Sequence, residues 1–182
     1  MQLEIEQKFR IDSADDLLAR VAKLSAEELE PVEQRDTYYN HPARDFRTTD
    51  EALRIRRTGD GAVVTYKGPK HKTVVKTRQE IELPLATPES WPALFDALGF
   101  REVAVVSKHR RRFKLTSGEF EVELAIDHVD DVGLFAEIEI VADQSQAEQA
   151  QQAVLELAQE LGLGNAEPRS YLRMLLEQRA TK

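Results

Sequence analysis

Glu4, Glu6 and Lys8 occupy every second position of a short segment near the start of the chain, and Leu3 and Ile5 lie before and between the two glutamates. Because successive side chains of a β-strand point to opposite faces, a strand here places the three charged groups on one face, with Leu3 and Ile5 on the other. Two carboxylates could bind a divalent cation, and an ammonium group could bind an anionic oxygen. A solvent-exposed face of an antiparallel sheet would explain the same pattern without any ligand.

The same alternation of charged and apolar residues recurs along the later predicted strands. A wet sheet face usually mixes in Thr, Ser and Gln, whereas these faces carry dense charge of both signs. The predicted helices need the apolar strand faces for packing, so we expect the charged faces to turn inward and line the lumen of a closed barrel. The charged positions are Arg54 and Arg56; Lys108, Arg110, Arg112 and Lys114; Glu121, Glu123 and Asp127; and Glu137 and Glu139.

A lumen with both acidic and basic groups has a chemical consequence. Buried charges are tolerated when they are paired or when they bind an ion or ligand. Arginine and lysine side chains bind phosphate oxygens, and clustered carboxylates bind Mg²⁺ or Mn²⁺. The pattern therefore predicts a site for a polyphosphate together with a divalent metal.

Composition narrows the class of protein. The 182 residues are 41% hydrophobic and 32% charged, which is typical of a soluble globular chain, and we predict one domain over residues 1–182. Cysteine is absent, so disulfides and thiolate metal sites are excluded and a cytoplasmic location is expected. The net charge of −8 argues against binding to nucleic acid or anionic membranes. Apolar runs are too short to span a bilayer, and early charges interrupt any signal segment.

Periodicity and turn residues predict an α+β fold with mostly antiparallel strands. Ser145 and Glu148 have the spacing of a capping box, and Thr87 precedes Pro88 as an expected N-cap. Residues 70–73 are predicted to form a basic loop. Helices are expected at 14–28, 87–99, 145–161 and after Pro168, and strands at about 32–39, 53–57, 63–67, 75–85, 103–115, 119–127 and 134–141.

Other chemistry has weaker support. The chain contains no Gly-rich loop ending in Gly-Lys-Ser or Gly-Lys-Thr, which argues against a P-loop nucleotide site. The four histidines show no paired spacing typical of zinc ligands, and we expect them to lie on the surface or in loops. They are His41, His71, His109 and His128.

The motifs resemble those of the CYTH superfamily, the triphosphate tunnel metalloenzymes. Residues 4–8, Glu-Ile-Glu-Gln-Lys, resemble the Glu-x-Glu-x-Lys signature of that superfamily, and residues 108–113 resemble its Lys-x-Arg-x-x-aromatic strand. One departure is Asp131, where the family often has glycine in the turn before Gly133. Further similar segments are 34–39, 53–56, 67–69, 76–80, 127–129, 133–139 and 170–171.

The resemblance implies a fold and a set of roles. The fold would be a closed antiparallel β-barrel of about eight strands that forms a charged tunnel, with helices packed on the outside. Glu80 and Glu82 would have a structural or supporting role. Catalysis would involve Glu4, Glu6, Lys8 and Glu137; Mg²⁺ or Mn²⁺ would bind Glu4, Glu6, Asp127, Glu137 and Glu139; and the triphosphate would bind Lys8, Arg54, Arg56, Lys67, Lys76, Arg78, Lys108 and Arg110.

Within the superfamily, the chain looks most like the class IV adenylyl cyclases, on its length, the N-terminal position of the first motif and the segments at 34–38 and 67–70. That resemblance implies attack of the ribose 3′-hydroxyl of ATP on the α-phosphate, which yields cyclic AMP and pyrophosphate. Two alternatives stay open. One is hydrolysis of inorganic triphosphate, thiamine triphosphate or a nucleoside triphosphate, and the other is a barrel that binds polyphosphate without catalysis. Members of the cyclase group are often homodimers, which leaves a homodimer as an open expectation.

Overall fold

The computed structural model of the chain describes residues 2–59, 61–69, 76–164 and 166–181, with the backbone alone at 2 and 76–78. The predicted basic loop at 70–73 and the predicted roles of the Lys76 and Arg78 side chains lie outside this description. The elements are β1 Gln2–Arg10, α1 Ala14–Val21, β2 Glu27–Asn40, α2 Phe46–Thr49, β3 Ala52–Thr58, β4 Gly61–Lys67, β5 Lys76–Arg78, β6 Glu80–Pro84, α3 Trp91–Ala97, β7 Arg101–Ser117, β8 Phe120–Val129, β9 Gly133–Asp143, α4 Ala147–Glu160 and α5 Tyr171–Ala180.

The strands of the described chain form one antiparallel sheet of nine strands in the order β5-β1-β9-β8-β7-β2-β3-β4-β6. This confirms the α+β class, but the prediction of a closed barrel of about eight strands was wrong. The edge strands β5 and β6 follow each other in the chain with only Gln79 between them, so they cannot turn back and pair as a hairpin. The sheet is nevertheless strongly curled: β1 and β4 are far apart in the strand order, yet Lys67 Nζ on β4 lies 3.0 Å from the Glu4 carboxylate on β1.

The convex face of the sheet carries most of the hydrophobic core. Ile5 on β1 and Ile138 on β9 are fully buried there, beneath Leu17 of α1 and Val154 of α4. A second cluster on the same face places Phe95 of α3 with residues of β3 and β4. Helices α1, α3 and α4 therefore lie outside the curled sheet, as predicted, and leave the charged strand faces on its concave side.

Helix α5 differs from the predicted arrangement, because it packs against the concave face. Tyr171 and Leu175 share a buried cluster with Val106 of β7 and Phe135 of β9. Val106 is in line with the inward-facing Lys108, and Phe135 with Glu137, since alternate residues of a strand share a face. This end of the concave face is apolar, and it gives α5 a surface on which to pack.

Several predicted boundaries shift for identifiable reasons. Helix α1 ends at Val21 instead of residue 28, and β2 already begins at Glu27. Pro31 lies within β2 at a register shift between Leu29 and Val32, where a strand tolerates the missing amide donor. Pro31 therefore marks an irregularity inside β2.

The predicted helix caps were also partly wrong. Helix α3 begins at Trp91 after Ser90, and not at Thr87. The expected capping box at Ser145 is replaced by a short 3-10 turn over Gln144–Gln146. Among the helices in the described part of the chain, none combines the length and apolar character that crossing a membrane requires.

Asp131 provides a test of the turn between β8 and β9. Its φ is 60°, in the left-handed region that favours glycine. We expect Asp131→Gly to raise the free energy of unfolding by about 0.5 kcal/mol, because glycine adopts this conformation without strain. Asp130 lies outside the left-handed region, so Asp130→Gly should lower stability by a similar amount. Chemical denaturation would measure both changes, and shifts in the same direction would contradict the assignment.

Candidate active site

A cavity of about 620 Å³ opens on the concave face of the sheet. It collects predicted site residues from strands that are far apart in the chain, because the curl brings their inward faces together. One side of the cavity is closed by α5 and another by the segment that joins β2 to β3. The predicted residues that line it are Glu4, Glu6, Lys8, Arg54, Arg56, Lys67, Lys108, Arg110, Glu137 and Glu139.

Four of these residues form what we call the acidic bank: Glu4 and Glu6 on β1, and Glu137 and Glu139 on β9. Strand pairing places Glu6 directly opposite Glu139. Like charges at directly opposed positions of two strands repel each other. The sheet therefore holds these carboxylates together at an electrostatic cost.

This electrostatic cost is reflected in the raised pKa values of two carboxyl groups of the acidic bank. Burial raises the pKa of Glu4 to about 9, and a hydrogen bond with Glu80 and the charges of Glu6 and Glu139 add to the effect against the opposing charge of Lys67. Burial likewise raises the pKa of Glu139 to about 7, with further contributions from the charges of Glu6 and Glu137. A divalent cation would offset this repulsion.

The donor set of the acidic bank fits Mg²⁺ or Mn²⁺, since both ions prefer carboxylate oxygens. In the part of the chain that is described, no three acidic or histidine side chains already converge on one point. Lys67 Nζ donates to both oxygens of Glu4, at 3.1 and 3.0 Å, and Arg110 donates to Glu137. Binding of a metal would require these carboxylates to exchange a protein cation for the ion.

The predicted basic residues that line the cavity form a second group, which we call the basic bank. Its lysines and arginines are unusually buried: Lys8, Lys108 and Arg110 are 2%, 4% and 7% exposed. Burial lowers the pKa of Lys108 to about 8, and the neighbouring charge of Arg110 lowers it further against the attraction of nearby carboxylates. Such a cluster favours an anionic ligand that supplies compensating charge. The members of the basic bank are Lys8, Arg54, Arg56, Lys67, Lys108 and Arg110.

Asp127 does not line the cavity, unlike the other predicted metal ligands. It is fully buried and accepts hydrogen bonds from Arg110 at 2.7 and 2.6 Å, from Lys108 at 2.9 Å and from the Tyr171 hydroxyl at 2.8 Å. Burial alone would raise the pKa of Asp127, but the charges of Lys108 and Arg110 hold it well below its usual range. A metal-binding role for Asp127 stays a prediction; in this arrangement it serves as a counter-charge for the basic bank.

Asp36 on β2 has an equivalent position that the sequence did not reveal. Arg56 donates to both of its oxygens, at 2.7 and 2.8 Å, and Arg54 donates at 3.1 Å. Although burial would raise the pKa of Asp36, the charge of Arg54 and the bonds from Arg56 lower it well below its usual range. An aspartate in the strand next to the basic strand could have indicated this role. To recognise it, one would need the register of β2 with β3, which pairs Asp36 with Arg56.

Glu80 and Glu82 on β6 also contact the cavity walls. Glu80 lies 2.5 Å from Lys67 Nζ, and Glu82 accepts a hydrogen bond of 2.6 Å from Thr65. Although burial would raise the pKa of Glu80, its hydrogen bond with Glu4 and the charge of Lys67 lower it to about 2. These contacts support the predicted structural or supporting role of the β6 carboxylates.

Comparison with known proteins identifies the same family. Residues 2–171 match the CYTH domain. Protein MJ0240 of Methanocaldococcus jannaschii, whose name assigns it provisionally to the adenylate cyclases, is 35% identical over 175 residues, or 94% of this chain and 98% of that protein. Adenylate cyclase CyaB of Aeromonas hydrophila is 28% identical over 186 residues, or 99% of this chain and 92% of that protein.

A solved structure shows the same fold over almost the whole chain. The PH1819 protein of Pyrococcus horikoshii superposes with a TM-score of 0.86 at 37% sequence identity, covering 97% of this chain and 99% of that one. CYTH enzymes act on small-molecule triphosphates such as ATP and generally depend on a divalent metal. The resemblance predicted from the sequence is thereby confirmed: this chain belongs to the CYTH domain family.

Proposed function

We propose that this protein is an adenylyl cyclase that converts ATP to cyclic AMP and pyrophosphate with the help of Mg²⁺ or Mn²⁺. The observation that carries the proposal is the presence of the acidic bank and the basic bank in one cavity of about 620 Å³. The two relatives named as adenylate cyclases, one of them provisionally, support the cyclase reaction and span nearly the whole chain.

The basic bank would bind the triphosphate. Arg54 and Arg56 enter the cavity from β3 in orientations that Asp36 already holds, so little side-chain freedom is lost when they bind phosphate oxygens. Lys108 and Arg110 enter from β7, where Asp127 holds them. Such preorganised cations stabilise the charge that develops on a leaving pyrophosphate.

The acidic bank would hold the divalent metal. When bound, a metal of this kind lowers the pKa of an attacking hydroxyl and neutralises charge on phosphate oxygens. Glu6 and Glu139 face each other across β1 and β9, so together they would position the ion at the wall opposite the arginines of β3. The two walls would thereby align the α-phosphate between metal and cations.

The residues that line the cavity outside the two banks support a nucleotide over inorganic triphosphate as the ligand. Beyond the two banks, the lining combines further charged side chains, such as Arg47 and Arg173, with Asn40 at the end of β2 and the apolar side chains of Leu172 and Leu176 on α5. A cavity of this size lies within the range that encloses a small organic ligand. These side chains would hold the nucleoside, and the two banks would hold the metal and the phosphates.

The product mixture after one incubation tests the proposed reaction. Purified protein is mixed with ATP and Mn²⁺ or Mg²⁺, and the products are separated by chromatography, with parallel samples in excess chelator. We expect equal amounts of cyclic AMP and pyrophosphate that disappear with the chelator. ADP with phosphate, or turnover of inorganic triphosphate without cyclic AMP, would contradict the cyclase assignment and support a triphosphatase. Saturable binding without any product would support a polyphosphate-binding role.

A further inference from the structure

Tyr171 makes an unusual set of contacts on the concave face. It is the first residue of α5, which Ser170 caps by accepting a hydrogen bond from the Arg173 amide. The Tyr171 side chain is buried, and its hydroxyl donates to Asp127 at 2.8 Å. This bond connects the C-terminal helix to the counter-charge of the basic bank.

The ring of Tyr171 lies close to two ammonium groups. Lys8 Nζ is 4.1 Å from the ring centroid, and Lys108 Nζ is 5.1 Å from it. Both distances lie within the range of a cation–π interaction, which is strongest where water is excluded, and both lysines are almost fully buried. Phe135 contacts the same ring edge to face, with centroids 5.0 Å apart, and fixes its orientation.

The sheet itself does not bring these two lysines together. Lys8 is on β1 and Lys108 is on β7, and the strands β9 and β8 lie between them in the sheet. Two like charges in a poorly solvated region repel each other. Glu137 lies 4.0 Å from Lys8 and Asp127 lies 2.9 Å from Lys108, but within these contacts each carboxylate serves one lysine, whereas the Tyr171 ring lies close to both. The electron-rich ring of Tyr171 attracts both ammonium groups. The Tyr171 hydroxyl donates to Asp127, the carboxylate that neutralises Lys108.

We propose that Tyr171 is a positioning residue that holds Lys8 and Lys108 in place to bind the phosphates of a triphosphate. The inference rests on the proposed function only for the class of ligand, a triphosphate anion, and does not depend on which reaction follows. The ring carries the effect through the lysines, and the hydroxyl contributes less because Asp127 keeps its bonds to Lys108 and Arg110 without it.

A purely structural role for Tyr171 makes a different prediction. Tyr171 also packs with Leu175 in the cluster that seats α5, so its removal would loosen the helix. Leu175→Ala loosens the same seat, because Leu175 is 2% exposed, but this leucine is not among the residues that line the cavity. It is therefore the matched control.

The test measures binding of inorganic triphosphate by calorimetry in the presence of chelator, so that neither metal nor turnover is needed. Wild type is compared with Tyr171→Leu, Tyr171→Phe and Leu175→Ala, and thermal unfolding is recorded for each. We expect Tyr171→Leu to raise the Kd for triphosphate by about tenfold or more. Tyr171→Phe, which keeps the ring, should raise the Kd by no more than about threefold. Leu175→Ala should lower the Tm but leave the Kd unchanged.

Unchanged affinity in Tyr171→Leu would overturn the inference, as would equal weakening in Tyr171→Leu and Leu175→Ala. Wild-type protein that does not bind triphosphate would overturn the inference together with the ligand class on which it rests. Wild-type binding combined with an absence of cyclic AMP would overturn the proposed cyclase alone and leave the Tyr171 comparison valid.

Discussion

Replacing Asp127 with asparagine is expected to lower the free energy of unfolding by about 3 kcal/mol. The substitution keeps the shape of the side chain but removes the charge that Lys108 and Arg110 share. Both cations are buried, and an uncompensated charge in such a site is strongly unfavourable. Glu137 still pairs with Arg110, so the protein should remain folded at neutral pH.

The dependence of stability on pH gives this prediction a second measurement. The folded state holds the pKa of Asp127 well below the value of about 3.9 expected in the unfolded chain. Its stabilising contribution is therefore complete above that pH and is lost as the pH falls towards the lower folded value. Denaturation curves between neutral and acidic pH should show a smaller acid-dependent loss in Asp127→Asn than in the wild type.

The control for Asp127 is an exposed ion pair on the same two strands. Glu121 on β8 lies 2.9 Å from Lys114 on β7, with both side chains largely open to solvent. Glu121→Gln should change stability by less than about 0.5 kcal/mol, because solvent already screens that pair. If Asp127→Asn and Glu121→Gln change stability equally, the counter-charge role of Asp127 is wrong.

The second large effect concerns turnover. We expect Glu6→Gln to reduce metal-dependent formation of cyclic AMP by about a hundredfold or more, because the proposed metal loses a charged oxygen ligand. Glu137→Gln should cause a comparable loss. Glu137→Gln also weakens one of the two carboxylate contacts of Arg110, so Glu6→Gln is the cleaner test. Initial rates at saturating Mn²⁺ would measure both effects.

Glu123 offers a matched control for these two substitutions. It pairs in register with Glu139 and shares its face of the sheet, but it does not line the cavity. Glu123→Gln should therefore keep nearly the wild-type rate. Wild-type rates in Glu6→Gln and Glu137→Gln, with unchanged Tm values, would remove these residues from the site.

Alternation along the strands predicted many of the charges that line the cavity, although Arg112, Lys114, Glu121 and Glu123 were also predicted there and do not line it. Each strand buries its apolar face in the core on the convex side, so its charged face lies on the concave side. Residues that line the cavity for this reason are Glu4, Glu6, Lys8, Arg54 and Arg56. Periodicity and turn residues predicted the α+β class, and the motifs identified the family. Both predictions depend on local pattern, which a single sequence contains.

The pairing of charges could not be predicted in the same way. Asp36 and Asp127 became counter-charges only through the register of β2 with β3 and of β8 with β7, and register depends on contacts between distant segments. His109 and His128 also face each other across β7 and β8, although their spacing in the chain gives no sign of it.

Two predictions about the global arrangement were wrong, because they also depend on contacts between distant segments. A helix was predicted after Pro168, but the sequence did not show that α5 would lie on the concave face with Tyr171 among the lysines. Continuous alternation over residues 75–85 predicted one strand, whereas β5 and β6 separate at Gln79 and form opposite edges of the sheet. Closure and helix placement depend on how the whole sheet curls.

Binding of Mn²⁺ in the presence of inorganic triphosphate tests most directly whether the acidic bank holds the metal. Electron paramagnetic resonance of free Mn²⁺ would measure it for the wild type, Glu6→Gln and Glu123→Gln. We predict that the wild type and Glu123→Gln bind Mn²⁺ with the same affinity and that Glu6→Gln binds it at least about tenfold more weakly. Equal affinity in all three proteins would contradict the proposed metal site.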